Sequence, residues 1–324
     1  MKKQNTPLVT HIFTADPSAH VFNDKIYIYP SHDIPHNGED NDNGDEYQMA
    51  DYHILSMDEN SDEVIDHGEA LHQDQVPWVS EQMWAPDVVF TNDTYYLVFP
   101  ARDKEGNFRI GIAESKNPEG PFTPRDNYIE GSFSIDPCSF KDDDGKVYIY
   151  FGGLWGGQLE KYRTGSFDKN GTEPPKNEPA VFPKCGIMKS DMSGFEGSPL
   201  DIKILDENGS PLLAGDEDRR YFEGPWMHKY NGKYYFSYST GTTHKIAYAT
   251  SDNPLGPFTY QGIILEPVIG WTTHHSIVEY HGKWYLFYHD SEYSGGINHR
   301  RCVKYCELKY NDDGSIQTIT PEYK

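Results

Sequence analysis

Five times along this chain a short polar or acidic signature gives way to a run of aromatic and β-branched residues. The copies read ADPSAHVFNDKIYIYP from Ala15, WAPDVVFTNDTYYLVFP from Trp84, IDPCSFKDDDGKVYIYF from Ile135, FEGPWMHKYNGKYYFSY from Phe222 and THHSIVEYHGKWYLFYH from Thr273. Within the copies a turn such as Asn-Asp, Asp-Gly or Asn-Gly parts two β-rich runs, the signal of an antiparallel hairpin. The runs Tyr27 to Tyr29, Tyr95 to Phe99, Tyr148 to Phe151, Tyr234 to Tyr238 and Trp284 to Tyr288 have strand composition, and no stretch has the 3.6-residue period of a long amphipathic helix. Two later segments also match each other, IGIAESKNPEGPFTP from Ile110 and IAYATSDNPLGPFTYQG from Ile246, and are expected to form outer strands.

Between Asp16 and His274 the copies begin on average about 65 residues apart, longer than a solenoid repeat and sufficient for a four-stranded blade with generous loops. Five such units account for nearly all of the 324 residues, and no Pro/Ser-rich or low-complexity linker divides them. The pattern therefore predicts an all-β chain, a five-bladed β-propeller folded as a single domain over residues 1–324.

Charge and composition narrow the partners. With 51 acidic against 28 basic residues the formal net charge is -23, so nucleic acid and anionic membranes would be repelled. The 24 Tyr and 6 Trp suit a protein that stacks flat faces on sugars, although most of these rings are expected to fill the spaces between blades. The four cysteines form no CxxC pair or zinc spacing. Cys302 and Cys306, four apart on a strand, would lie about 13 Å from each other, so all four are expected to be reduced. The start MKKQNTPLVTHIF lacks the apolar run of a signal peptide, which gives the expectation of a cytoplasmic protein, or a periplasmic or secreted one had a leader been removed. GxSxG, GxGxxG, HExxH and phosphate-loop motifs are absent. The acidic loop from Gly38 to Glu46 breaks the EF-hand order at Gly44 and is expected to be solvated.

The carboxylates remain. The innermost strands of a propeller converge on its axis, so Asp16, Asp136 and Glu223, at equivalent starts of different repeats, should face one another around one pit. Three carboxylates there repel, so at least one keeps its proton near neutral pH, as an acid/base hydrolase requires. Asp87 sits in the same register and is expected to be structural or at the pocket edge.

The ADPS, WAPD, SIDP, FEGP and HHS motifs, in this order on five repeats across the whole chain, resemble glycoside hydrolase family 43, and within it the single-domain β-xylosidases and related α-L-arabinofuranosidases. The resemblance implies a five-bladed propeller and inversion at the anomeric centre, with Asp16 as general base, Glu223 as general acid, and Asp136 orienting the acid and raising its pKa. Inversion places the two acting carboxyls about 6.5–9.5 Å apart to leave room for water. A bell-shaped pH profile is then expected, with Asp16 limiting the acid side and Glu223 the alkaline side. The resemblance also implies a histidine near the axis, here His274, beside a divalent cation, calcium, held mainly through water. It implies an arginine in the sugar pocket, here Arg301.

By position beside the axial signatures, Trp84, Trp155, Phe222 and Trp271 are expected to wall the subsite for the terminal sugar. Many family β-xylosidases carry a second, β-sandwich domain that shapes the pocket. With none evident in this sequence, blade loops are expected to close it, the candidates being Gly38 to Glu46 or Gly153 to Gly157. The expected substrates are xylo-oligosaccharides cut from the non-reducing end, or arabinose-decorated oligosaccharides. A non-catalytic sugar-binding propeller is the rival from another class.

Overall fold

A computed structural model of the chain describes residues 1–36 and 40–323, and within them the predicted all-β architecture is found. Five sheets follow one another along the chain, antiparallel except for the short strand Ile204–Leu205, which runs parallel to Phe258–Leu265 at the edge of the fourth. Their innermost strands are Phe13–Phe22, Asp87–Thr91, Cys138–Lys141, Glu223–Tyr230 and His275–Tyr280, here the inner strands of blades I to V. These strands touch in cyclic order, blade V returning to blade I, so they surround one axis.

The turns explain why the register is so regular. Asn23-Asp24, Asn92-Asp93, Asn231-Gly232 and His281-Gly282 each join an inner strand to the next with positive φ at both residues, between 48° and 79°. That is the type I′ geometry whose twist matches paired strands, and Asn, Asp and Gly adopt it at least cost. Blade III uses a wider turn, closed by Asp142 N–H on Lys146 O at 2.9 Å.

The two matching later segments supply the third and fourth strands of blades II and IV, as expected: Phe108–Ser115 with Thr123–Pro124, and Ile246–Ser251 with Phe258–Leu265. Blade V has only three strands of its own. Its outer edge is covered by the N-terminal segment, where Asn5 and Leu8 donate to Tyr305 O and Val303 O, both at 2.9 Å. Leu8 and Val9 pack there with Tyr285, Phe287 and Val303. The chain's two ends thus close the ring, which the repeat pattern does not announce.

Most aromatic rings do fill the seams between blades. Tyr29, Tyr52, Trp78 and Phe99 lie in one such core, and Tyr150, Tyr221, Tyr238 and Tyr248 in another. Cys138, Cys185, Cys302 and Cys306 are all free and buried. Among the described residues no helix is long and apolar enough to cross a membrane.

Candidate active site

Asp16, Asp136 and Glu223 are each placed by a local break in the backbone at or beside the strand start. The pairing of blade I slips between Ala15 and Ser18, and that of blade IV between Glu223 and Trp226. Asp16 and Asp136, each preceding a proline, have φ of 48° and 56°, and Gly224 has φ of 62°. A bulge or left-handed residue at a strand start re-aims a side chain out of the pleat, and here it turns the carboxylates toward the axis. Gly224 is required twice over: besides its φ, a Cβ there would stand 3.2 Å from the His274 ring.

Asp16, Asp136 and Glu223 together line a cavity of about 260 Å³ at one end of the axis. The side chains expected around them are there as well: Trp84, Trp155, Phe222, Trp271, His274 and Arg301 all face the same cavity. Trp155, Phe222 and Trp271 form one cluster, with ring centroids 5.1–5.8 Å apart. Trp84 belongs to another, packed on Phe108 at 4.6 Å with its Nε1 donating to Tyr47 O at 2.9 Å.

The closing loops are those expected. Residues 40–46 and 153–157 both contribute to the wall. Gly156 lies so close to Asn43 O that a Cβ would stand 3.0 Å from it. Gly38 and Glu39 of the acidic loop lie outside the described residues. In its described part, Asn41 and Asn43 both donate to the Asp45 carboxylate, at 2.9 and 2.6 Å, so its polar groups satisfy one another.

Asp16 is tightly held. Arg301 Nη1 donates to its Oδ1 at 3.0 Å, Ser31 Oγ to its Oδ2 at 2.7 Å, and its own N–H to His289 Nδ1 at 2.9 Å. Burial pushes its pKa up, but the Arg301 charge and then His274 outweigh this and hold it well below the usual carboxylate range. His289, accepting at Nδ1, carries its proton on Nε2 toward Thr272. Burial and then the Arg301 charge depress its pKa to about 4, so it is neutral at physiological pH.

Arg301 is not free to greet a sugar with its whole fork. Its Nε and Nη2 form a bidentate pair with Asp33 at 2.9 and 2.7 Å, and Nη1 also reaches Thr272 Oγ1 at 2.9 Å. This ion pair is buried, with Arg301 and Asp33 only 2% and 1% exposed. Its planar fork serves to fix Asp16.

Glu223 and Asp136 are pushed the other way. Burial first, then the charges of Asp136 and Asp16, raise Glu223 well above the ordinary carboxylate range. Burial chiefly raises Asp136 to about 6, against the His274 charge. Asp136 Oδ2 accepts the N–H of Gly224 at 3.0 Å, which ties it to the residue following Glu223. The His274 imidazole lies between the carboxylates with Nδ1 3.6 Å from Asp16 Oδ1. Burial would lower its pKa, but Asp136 and Asp16 raise it, so it tends to the charged form.

Asp87 is structural and absent from the cavity wall. Its carboxylate accepts from Ser18 Oγ, from Ser139 N–H and from His20 Nε2, the last at 2.6 Å, and so ties the inner strands of blades I, II and III.

A cation beside His274 fits only if water intervenes. Both oxygens of Asp16 and one of Asp136 are already taken by donors, and imidazole is a poor calcium ligand. Among the described residues, the one group of three or more ligand atoms gathered closely enough for direct binding lies elsewhere, at His32, Asp51 and His53. When bound through water, an ion would add positive charge to the pit.

A pit with one carboxylate held ionised and a second held protonated is the layout of an acid/base hydrolase. The model of glycosyl hydrolases family 43 matches residues 6–316. The chain belongs to this family. Xylosidase/arabinosidase 43A of Humicola insolens is 57% identical over 98% of this chain and 99% of its own length. The β-xylosidase of Xylanibacter ruminicola is 50% identical over 95% and 97%. The solved structure of a family 43 β-xylosidase/α-arabinofuranosidase from a compost microbial metagenome, in complex with xylotriose and in calcium-free form, superposes with a TM-score of 0.98 at 56% identity. It covers 100% of this chain and 99% of that one.

The family 43 signatures thus fall on the cavity residues of this glycoside hydrolase. Asp33, Ser31, Thr272 and His289, which build the shell around Asp16, are not among the residues its repeats single out.

Proposed function

We propose that this glycoside hydrolase removes β-1,4-linked D-xylose from the non-reducing ends of xylo-oligosaccharides with inversion. The observation that carries the proposal is the opposite setting of two carboxyls in one cavity: Asp16 clamped ionised by Arg301, and Glu223 kept protonated by burial and by Asp136. Asp16 holds a water against the anomeric carbon and takes its proton as the new C–O bond forms. Glu223 gives its proton to the glycosidic oxygen as the old bond breaks, and solvent later restores both groups. A base of depressed pKa suits this reaction, because an oxocarbenium-like transition state needs the water positioned more than deprotonated.

The low Asp16 pKa changes the reading of the pH profile. Asp16 stays ionised far below any working pH, so it does not set the acid limb. Asp136 carries a charge that holds up the Glu223 pKa, and so governs the alkaline limb. In Asp136→Asn the repulsion on the Glu223 carboxylate is gone, so its pKa drops. The alkaline limb of kcat/KM should then move to lower pH. An unmoved profile removes Asp136 from this role.

The cavity favours an exo mode, since the loops over 40–46 and 153–157 wall it in and the aromatic cluster of Trp155, Phe222 and Trp271 covers another side. A second activity, on α-L-arabinofuranosides, is supported by relatives named for both sugars. The test is the ratio of kcat/KM for 4-nitrophenyl β-D-xylopyranoside and 4-nitrophenyl α-L-arabinofuranoside on one preparation. The proposal expects the xyloside to lead with measurable arabinoside turnover. A ratio inverted in favour of the arabinoside overturns the order, and inactivity on both overturns the exo reading. A purely sugar-binding propeller would have no use for a carboxyl kept protonated beside one kept ionised.

A further inference from the structure

The hydrolytic cavity does not account for a second polar cluster in blade I. His32 lies near the end of the second strand, Lys25–Asp33, and Asp51 and His53 open the third, Asp51–Met57. Residues two apart on a strand share a face, so Asp51 and His53 point the same way. The three side chains offer ligand atoms that all lie within 4.8 Å of one another. His32 Nδ1 and Asp51 Oδ1 are 2.5 Å apart, and the His32 and His53 ring centroids are 5.0 Å apart with planes at 64°.

We propose that His32, Asp51 and His53 bind a divalent transition-metal ion of the zinc class. Two imidazoles and a carboxylate are a borderline-soft donor set that favours zinc, copper or nickel over calcium and magnesium. Donor atoms around a tetrahedral zinc ion lie about 3.3 Å apart, so side-chain rotation of about 1–1.5 Å closes the cluster without moving strands.

The surroundings supply what a ligating histidine needs. Asp66, on the fourth strand Ile65–His72, accepts from His53 Nδ1 at 3.0 and 3.1 Å and from Gly68 N–H at 2.8 Å. A carboxylate on one imidazole nitrogen fixes the tautomer and leaves the other nitrogen for a metal. His11 Nε2, in the N-terminal segment, holds the other Asp66 oxygen at 2.7 Å. The ion would displace the proton shared by His32 and Asp51, and water would complete its shell. The side chains of His32, Asp51 and His53 are 16%, 13% and 18% exposed, enough for entry. The site would join three strands and the N-terminal segment, next to Asp33, the residue that grips Arg301.

The test uses the full chain without a polyhistidine tag, stripped with chelator and titrated calorimetrically with zinc chloride. One equivalent should bind, and His32→Gln and His53→Gln should each weaken binding at least tenfold. Asp66→Asn should weaken it about 10-fold or more. In zinc-free buffer these variants should keep wild-type kcat/KM. Asp136→Asn should leave zinc binding intact, which separates this site from the cavity. Cobalt(II) added to the wild-type chain gives a readout that needs no variant, an intense visible band of four-coordinate geometry. Absence of stoichiometric zinc binding, binding indifferent to both histidine changes, or a weak octahedral cobalt spectrum would each overturn the proposal.

Discussion

Glu223→Gln is expected to lower kcat on xylobiose about 10³-fold while costing only about 10-fold on 4-nitrophenyl β-xyloside. Xylose is a poor leaving group and needs a proton as the bond breaks, whereas 4-nitrophenolate departs without one. The same variant should be more thermostable than the wild type at neutral pH. The folded pKa of Glu223 lies above its unfolded value near 4.3, so the folded state binds more protons between the two. Its contribution to stability therefore falls as pH rises through that window, and at neutral pH ionisation favours unfolding. Glutamine removes this debit. Kinetics on the two substrates with a thermal scan check both effects. Equal losses on both substrates would show that Glu223 does not protonate the leaving group.

Asp16→Asn should give the complementary pattern. Activation of water is common to all substrates, so kcat should fall about 10³-fold on xylobiose and on the aryl xyloside alike. Stability should move opposite to that of Glu223→Gln. The folded pKa of Asp16 is depressed, so its ionised form stabilises the fold at every pH above its unfolded value, near 3.9, and this is lost only as pH falls through the folded pKa. The amide forfeits that contribution at neutral pH, so Tm should drop. Arg301 keeps its bidentate partner Asp33, and the fold should survive. A variant that keeps substantial activity on either substrate would remove Asp16 as the base.

The two inactive variants are thus expected to diverge in Tm, which no general loss of folding could imitate. The divergence arises because one cavity holds carboxyls driven to opposite charge states. A buried carboxyl without a cation is driven neutral, and one clamped by guanidinium is driven ionised.

Much of this was legible in the chain because propeller repeats write equivalent positions at equivalent offsets. The hairpin turns at Asn23-Asp24 and Asn231-Gly232 mark blades I and IV, and Asp16 and Glu223 lie six to eight residues before them, in the first half of the preceding strand. Asp87 shows the limit of that rule. It occupies an anchor position, yet its strand pairs without a slip at its start, and its carboxylate is spent on Ser18, His20 and Ser139. Hydrophobic pattern does not record where a bulge falls.

The shell around Asp16 was partly recoverable. The observed ladder of blade I pairs Ala15 with Ser31 and Phe13 with Asp33, which places both partners beside Asp16. The one-residue slip at Asp16 and Pro17 hides this from a simple count. His289 and Thr272 come from blade V and its preceding loop, so only closure of the ring brings them to Asp16. Arg301 was located by motif, but its bond to Asp33 depends on that same closure. The His32, Asp51 and His53 cluster has no repeat and no fixed spacing, because its ligands meet across neighbouring strands.

The most direct measurement is proton NMR of the xylose released from 4-nitrophenyl β-D-xylopyranoside, recorded before mutarotation. Attack by a water held on Asp16, opposite the Glu223 proton donor, predicts α-xylose as the initial product. Initial β-xylose would mean retention through a covalent intermediate, and would contradict the assignment of Asp16 as a base acting on water.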